Sequence, residues 1–95
     1  MKQLRRDRLK IYMDLLRIVR TESRKERIVL TRIQQKSNVP FDRLKAYLIE
    51  LKDRGLIEDE NAPKLTEKGR QSLEEYDQVL EFMKRMGLSF RGEAT

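Results

Sequence analysis

The chain has 95 residues, of which 38% are hydrophobic and 40% are charged, and its formal net charge is +6. This length fits one domain with a small core and no large buried pocket. Because the chain contains neither cysteine nor histidine, disulfides, thiolate or imidazole metal sites and Ser-His or Cys-His catalysis are excluded. We therefore expect neither enzymatic activity nor a cofactor, and no small-molecule substrate.

No segment approaches the ~18 apolar residues of a membrane span. The basic N-terminus lacks the apolar core of a secretory signal, and the lack of cysteine fits an intracellular protein. These features predict a cytoplasmic protein without a membrane partner.

The positive charge is concentrated in the first third of the chain. Residues 1–36 contain twelve Lys or Arg and four Asp or Glu, whereas residues 37–66 and 67–95 each contain five against six. A basic segment of this kind attracts polyanions, with nucleic acid first and an anionic membrane surface second. The alternative is a solvated basic surface that keeps the protein soluble.

Apolar residues at spacings of three and four predict a first helix from Asp7 to about Thr21. Its apolar face is wide, which indicates burial on two sides, one against its own domain and one against something else. Two adjacent stripes form this face: Leu9, Tyr12, Leu16 and Val19, and next to them Ile11, Leu15 and Ile18. Four cations fit either a basic arm or a solvated helix start: Arg5, Arg6, Arg8 and Lys10.

The next segment is polar and aperiodic over residues 21–27, which predicts a loop. Ile28-Val29-Leu30 is a β-branched run and predicts a short strand beside a later hairpin. A second helix is predicted over residues 31–36. It opens with a capping box, in which the Thr31 hydroxyl and the Gln34 amide satisfy free backbone N–H groups.

Ser37-Asn38-Val39-Pro40 makes a tight break before a third helix from about Phe41 to Arg54. Pro40 suits the first turn of that helix, where a missing N–H costs nothing. Gly55 ends the helix by taking the left-handed conformation. The predicted inward-facing residues of the second and third helices are Ile33, Phe41, Leu44, Leu48 and Leu51.

Two short apolar segments, Leu56-Ile57-Glu58 and Lys64-Leu65-Thr66, flank a polar tip as the strands of a hairpin do. A fourth helix follows from about Glu67 to Met86, with Thr66 as its N-cap. Two short helices, a hairpin and a return helix make a winged helix-turn-helix. This architecture commonly offers its second helix to the major groove of DNA.

The fourth helix carries two neighbouring apolar stripes, which favour a partner helix. Self-association is favoured over packing on the first helix alone, because the projecting end would otherwise be exposed. The predicted dimerisation residues are Leu73, Tyr76, Val79, Leu80, Phe82, Met83 and Met86. The predicted organisation is a DNA-binding domain over residues 1–66, a dimerisation helix over 67–86 and a flexible tail over 87–95.

Polar residues around the break are candidates for DNA contact. Arg43 and Lys45 fit the groove, since both side chains can bond guanine; the alternative is an exposed helix face with Arg43 paired to a carboxylate. Asn38 either reads a base or stabilises the turn. The second helix is expected to touch phosphate rather than bases, through Arg32, Gln35 and Lys36.

The segment from Gln35 to Leu48, together with Gly55-Leu56-Ile57 and Leu65-Thr66-Glu67-Lys68-Gly69, resembles small archaeal winged helix-turn-helix proteins. This group includes ArnR-like regulators and ten-kilodalton chromatin proteins of Sulfolobus type, and is MarR-like in the broad sense. The resemblance covers about residues 9 to 86. It implies a homodimer joined by an antiparallel coiled coil of the last helix, and binding to double-stranded DNA. The implied DNA-facing positions are Arg32, Gln35, Lys36, Asn38, Asp42, Arg43, Lys45 and Lys64.

We therefore expect an α+β protein, mainly α with a small β wing, that binds duplex DNA as a dimer. The expected function is transcriptional regulation by a nucleoid-associated protein. Two alternatives stay open: a sequence-tolerant chromatin protein, and an adaptor that binds other proteins. The wing acids Glu58, Asp59 and Glu60 would suit the adaptor, because they repel phosphates.

Overall fold

The fold is organised around one long helix that is covered on two sides. The computed structural model describes residues 6–24 and 28–88. These ranges contain α1 (Arg6–Glu22), α2 (Leu30–Ser37), α3 (Phe41–Asp53) and α4 (Glu67–Arg85). α1 packs against α2 and α4, and α2 packs against α3. No helix within these ranges has the length and apolar character needed to cross a bilayer.

Both predicted stripes of α1 face the core. Tyr12, Leu16 and Val19 of the first stripe and Leu15 of the second have at most 1% of their surface exposed. The prediction of burial on two sides is confirmed in part: α2 and α4 of the same chain cover α1, and Leu9, Ile11 and Ile18 are only partly buried. The rest of the core comes from the other elements, with Ile33, Leu44, Leu48, Leu51, Leu56, Ile57, Leu65 and Leu73.

α2 starts earlier than predicted and has no capping box. Leu30 is its first residue, and Val29 stands at the N-cap in extended conformation without a side-chain cap. The Val29 carbonyl accepts the amides of Arg32 and Ile33 at 3.0 and 3.3 Å, so the helix begins on main-chain bonds. The capping box at Thr31 and the strand over residues 28–30 are thus both wrong.

The inner face of α3 is confirmed at Leu44, Leu48 and Leu51, which are fully buried. The prediction for Phe41 is wrong, because its side chain is 41% exposed. Phe41 is the first residue of α3, so it lies beyond the edge of the core. Pro40 precedes the helix at the N-cap and is not part of its first turn.

The wing is a loop closed by one antiparallel bridge, between Ile57 and Leu65. The Glu58 amide donates to the Lys64 carbonyl at 3.0 Å on one side of it. In the described part of the chain the predicted hairpin strands are reduced to this single pair. A turn follows directly after this pair. In it the Asp59 carboxylate accepts a hydrogen bond from the Asn61 backbone amide at 2.8 Å, an arrangement that aspartate favours.

α4 packs its first half on α1. Tyr76 is partly buried against the core, and the Arg17 guanidinium donates to both Asp77 carboxylate oxygens, at 3.1 and 2.9 Å. This hydrogen bonding raises the pKa of Arg17 above its ordinary value. Leu73 is fully buried within the protomer. Its predicted role as a dimer contact is wrong, because it offers no surface to a second chain.

The end of α3 is fixed by a glycine. Gly55 has φ +77°, a conformation that residues with a side chain rarely adopt. The amides of Gly55 and Leu56 donate to the carbonyls of Lys52 and Leu51, both at 2.9 Å. This is the double hydrogen bond of a Schellman motif, and it confirms the predicted helix end.

The start of α4 is joined to the end of α3 by two side chains. The Thr66 hydroxyl accepts the Gly69 amide at 2.9 Å and donates to the Gly55 carbonyl at 2.6 Å. The Lys68 ammonium donates to the Arg54 carbonyl at 2.8 Å. Thr66 is thus confirmed as the N-cap of α4, and it also satisfies the end of α3.

Gly69 lets α4 approach the wing closely. A Cβ at Gly69 would lie 2.1 Å from the carbonyl oxygen of Leu56. The same carbonyl accepts the Thr66 amide at 3.1 Å, so it cannot move without breaking that bond. The glycine of the Leu-Thr-Glu-Lys-Gly segment is therefore required by packing.

Gly69→Ala should destabilise the fold. The methyl group improves helix propensity by about 1 kcal/mol, but overpacking costs about 1–3 kcal/mol or more, and the clash here is with backbone. We expect a net loss of about 2 kcal/mol, which lowers the Tm by roughly 8–16 °C, measured by thermal unfolding. Gln71→Ala, at an exposed position of α4, is the control and should change stability by less than about 0.5 kcal/mol. Equal Tm values for the two variants would contradict the close contact.

Candidate nucleic-acid interface

The turn between α2 and α3 is held by its backbone and by two side chains. Asn38 adopts the left-handed conformation, with φ 58° and ψ 31°, which asparagine tolerates better than most residues. The Gln34 amide donates to the Val39 carbonyl at 2.9 Å. The Ser37 hydroxyl accepts the Val39 amide and donates to the Gln34 carbonyl, at 3.3 and 3.1 Å. These bonds and the left-handed backbone of Asn38 together form the turn between α2 and α3.

The outer face of α3 carries the two cations that were predicted to enter a groove. Asp42, Arg43 and Lys45 are all exposed. The Lys45 ammonium lies 6.0 Å from the centroid of the Phe41 ring. Within residues 6–24 and 28–88, neither Arg43 nor Lys45 forms an ion pair. Their positive charge is therefore free to meet an external anion.

The cations of α2 are exposed but engaged. Arg32 and Lys36 retain 45% and 43% of their side-chain surface, and Gln35 is also exposed. The Lys36 ammonium lies 2.6 Å from the Glu22 carboxylate, and the Arg32 guanidinium lies 3.6 Å from it. Glu22 was missed by the sequence reasoning, which ended the first helix at Thr21 and assigned the following residue to a loop.

The wing presents charges of both signs. Lys64, Glu58 and Asp59 are exposed. The Lys52 ammonium of α3 lies 3.0 Å from a Glu60 carboxylate oxygen. Hydrogen bonding to Lys52 lowers the pKa of Glu60, and hydrogen bonding to Glu60 raises the pKa of Lys52. One of the three wing acids is thus neutralised by α3.

Two further cations lie beside Lys64. A cleft of about 270 Å³ at the base of the wing is lined by Arg20, Ser23, Glu58, Lys64, Leu65 and Arg70. Arg70 donates to the Leu65 carbonyl at 3.3 Å and to the Glu67 carboxylate at 3.1 Å. Arg20 and Arg70 were not predicted, because only the folding of α1 and α4 against the wing brings them to Lys64.

The N-terminal cation Arg8 makes contacts with two other side chains of the core and one carboxylate. The Arg8 guanidinium lies 5.4 Å from the centroid of Tyr47 and 6.0 Å from that of Tyr12, and 3.6 Å from the Glu50 carboxylate. The two rings meet edge to face, with centroids 5.6 Å apart. Hydrogen bonding to Tyr12 raises the pKa of Arg8. Arg8 therefore joins α1 to α3 and does not form a basic arm; Arg5 lies outside the described residues.

The amino-acid sequence, compared with known protein families, identifies the family of the chain. Residues 5–84 match the family described as winged helix-turn-helix. The chain belongs to this family. The match spans the four helices almost completely, and membership supports a DNA-binding role in general. Comparison with curated proteins and with solved structures finds no match. The archaeal, ArnR-like, MarR-like and chromatin subgroups named above stay predictions.

The Lys52–Glu60 pair of this winged helix-turn-helix protein can be tested by titration. Because the pKa of Glu60 is lowered, the pair contributes stability above the ordinary pKa of glutamate and loses it as the pH falls through the lowered value. In Lys52→Ala the pKa of Glu60 should rise toward the ordinary value, measured by NMR titration of the Glu60 carboxyl carbon. Lys64→Ala is the control and should leave the pKa of Glu60 unchanged. An unaltered Glu60 pKa in Lys52→Ala would mean that the pair does not form in solution.

Proposed function

We propose that this winged helix-turn-helix protein is a dimeric transcriptional regulator that binds duplex DNA with α3 in the major groove. The observation that carries the proposal is the pair Arg43 and Lys45. Both are exposed on α3 just after a rigid turn, and neither has a carboxylate partner within the described ranges. Free cations on a reading helix are what groove contact requires.

The residues of α3 have distinct roles in the proposal. Arg43 bonds guanine through two N–H groups, and Lys45 bonds guanine or phosphate. Asp42 is also exposed and can accept from the cytosine amino group. A carboxylate beside an arginine favours sequence reading over packaging, because a packaging protein needs cations alone.

The remaining contacts in the proposal go to the DNA backbone. α2 crosses the phosphates with Arg32, Gln35 and Lys36, and Asn38 closes the turn above them. Lys64 approaches a phosphate from the wing. Counterions released by these cations supply affinity that does not depend on sequence.

An adaptor that binds proteins is the second candidate, and the exposed carboxylates of Glu58 and Asp59 favour it. Affinity for duplex DNA against salt concentration separates the two classes. A phosphate binder loses affinity with a log–log slope of about −0.9 per contact, whereas an adaptor gives no such dependence. Selection from a random duplex pool then separates a regulator, which enriches one sequence, from a sequence-tolerant chromatin protein.

Replacing Arg43 and Lys45 together by alanine should weaken binding to a selected duplex by roughly ten- to a hundredfold, because base contacts are lost. The fold should be unaffected, since both side chains are exposed. Fluorescence anisotropy measures the affinity, and circular dichroism checks the fold. Gln71→Glu with Gln78→Glu lowers the net charge by the same two units on exposed α4 positions and is the matched control. An equal loss of affinity in the control would show that α3 is not part of the DNA interface.

The proposed dimer uses the second half of α4. Val79, Phe82 and Met86 are 49%, 52% and 60% exposed, and Leu88 is 56% exposed. An apolar patch of this kind on a helix favours pairing with another helix. Leu80 and Met83 are partly buried and are proposed to flank the contact, as Tyr76 does at its inner end.

Charge favours an antiparallel arrangement. The last turn of α4 is basic, with Lys84 and Arg85, and the exposed acids Glu74 and Glu75 lie earlier in the helix. Antiparallel pairing places the basic end of one helix beside these acids of the other. Parallel pairing would bring like charges together, which is destabilising.

Phe82→Glu should convert the dimer to a monomer, because it introduces a charge into the apolar contact. Phe82 is about half exposed, so the protomer should stay folded. Multi-angle light scattering measures the mass, and circular dichroism checks the fold. Gln78→Glu, an exposed neighbour on the same helix, should remain a dimer. A folded Phe82→Glu variant of unaltered mass would refute this contact.

A further inference from the structure

Glu22 is a buried carboxylate beneath the phosphate-facing side of α2. It is the last residue of α1 and its side chain has no exposed surface. The Lys36 ammonium lies 2.6 Å from one of its oxygens, and the Arg32 guanidinium lies 3.6 Å from the other. Both cations are partly exposed on the surface of α2, and their charged groups approach the buried carboxylate from there.

The burial of Glu22 strengthens its ion pair with Lys36. A carboxylate without access to water depends on its cations, and removing the closest of them leaves its buried charge less well compensated. A DNA phosphate that drew Lys36 outward would impose that cost, whereas a phosphate meeting a freely exposed lysine imposes none. Glu22 therefore competes with an approaching anion for Lys36.

The charge balance of the cluster follows directly. Arg32 and Lys36 place two positive charges on α2, and the Glu22 carboxylate beside them carries one negative charge. A phosphate held by Lys36 would also lie within a few ångströms of the Glu22 carboxylate, and like charges at that distance repel strongly when one of them is buried. Arg43 and Lys45 on α3 have no such carboxylate among the described residues.

We infer that Glu22 limits the sequence-independent affinity of this protein for DNA phosphates, by holding Lys36 and neutralising half of the charge of α2. It acts through Lys36 and Arg32 and is a positioning residue that need not touch DNA. The inference rests on the proposed function. Its consequence is that α3 contributes a larger share of the binding energy, which increases discrimination between sequences.

The direct test is Glu22→Gln, which keeps the size of the side chain and removes its charge. Binding to a duplex of random sequence, followed by anisotropy against salt concentration, should become several-fold tighter at low salt. The log–log slope should steepen by about 0.9, the value for one additional phosphate contact. Circular dichroism checks the fold of the variant. Unaltered or weaker binding with an unaltered slope would overturn the inference.

Lys36 provides a test that does not depend on replacing a buried residue. Because it is already neutralised, Lys36→Ala should change the slope by much less than about 0.9, whereas Lys45→Ala should flatten it by about that amount. In the Lys36→Ala background, Glu22→Gln should give only a small part of its gain. Equal slope changes for the two lysine variants, or a full gain in both backgrounds, would refute the role of Glu22.

The same titrations separate this inference from the proposed function. If the wild-type protein does not bind duplex DNA at low salt, the proposed function fails and this inference fails with it. If the wild-type protein binds and Lys45→Ala weakens binding while Glu22→Gln has no effect, the proposed function stands and the inference alone is wrong.

Discussion

The contact between Gly69 and the Leu56 carbonyl fixes the position of α4 relative to the rest of the fold. Leu56 follows the end of α3, and Gly69 lies in the first turn of α4. Thr66 bonds to both sides of this junction, through the Gly55 carbonyl and the Gly69 amide. Backbone contacts of this kind leave little freedom for rotation. This junction therefore fixes the direction in which α4 leaves the wing relative to the end of α3.

The formal charge of the chain overstates the charge available to a ligand. Arg17 is bonded to Asp77, Lys36 to Glu22, and Arg8 lies beside Glu50. Each of these pairs joins two different helices, so these three cations of the basic N-terminal third hold the domain together. Arg43 and Lys45 of α3, by contrast, form no ion pair among the described residues, and they lie in a part of the chain that is close to neutral in composition. The location of charge in the fold thus matters more for binding than its location in the sequence.

Features that depend on neighbouring residues could be predicted from the sequence. The apolar spacing gave the four helices and most of their inner faces, and Gly55 and Thr66 were assigned correctly because helix ends are set by residues close in the chain. Thr31 was assigned wrongly, since Val29 supplies a main-chain start that competes with a side-chain cap. The roles of Glu22 and Gly69 could not be predicted, because both depend on an element distant in the chain. The apolar periodicity predicted that Arg43 and Lys45 lie on an exposed face. It does not identify the molecule that these side chains bind.

The single bridge in the wing has a consequence for its dynamics. Within the described residues, two backbone amides bond across the wing, those of Glu58 and Thr66. Each helix, by contrast, is held by a continuous series of backbone hydrogen bonds. A segment with so few internal bonds opens locally at a free energy far below that of global unfolding. We expect its amide hydrogens to exchange with solvent faster than those of α1 and α3. The wing can therefore adapt its shape to a partner surface without loosening the helices behind it.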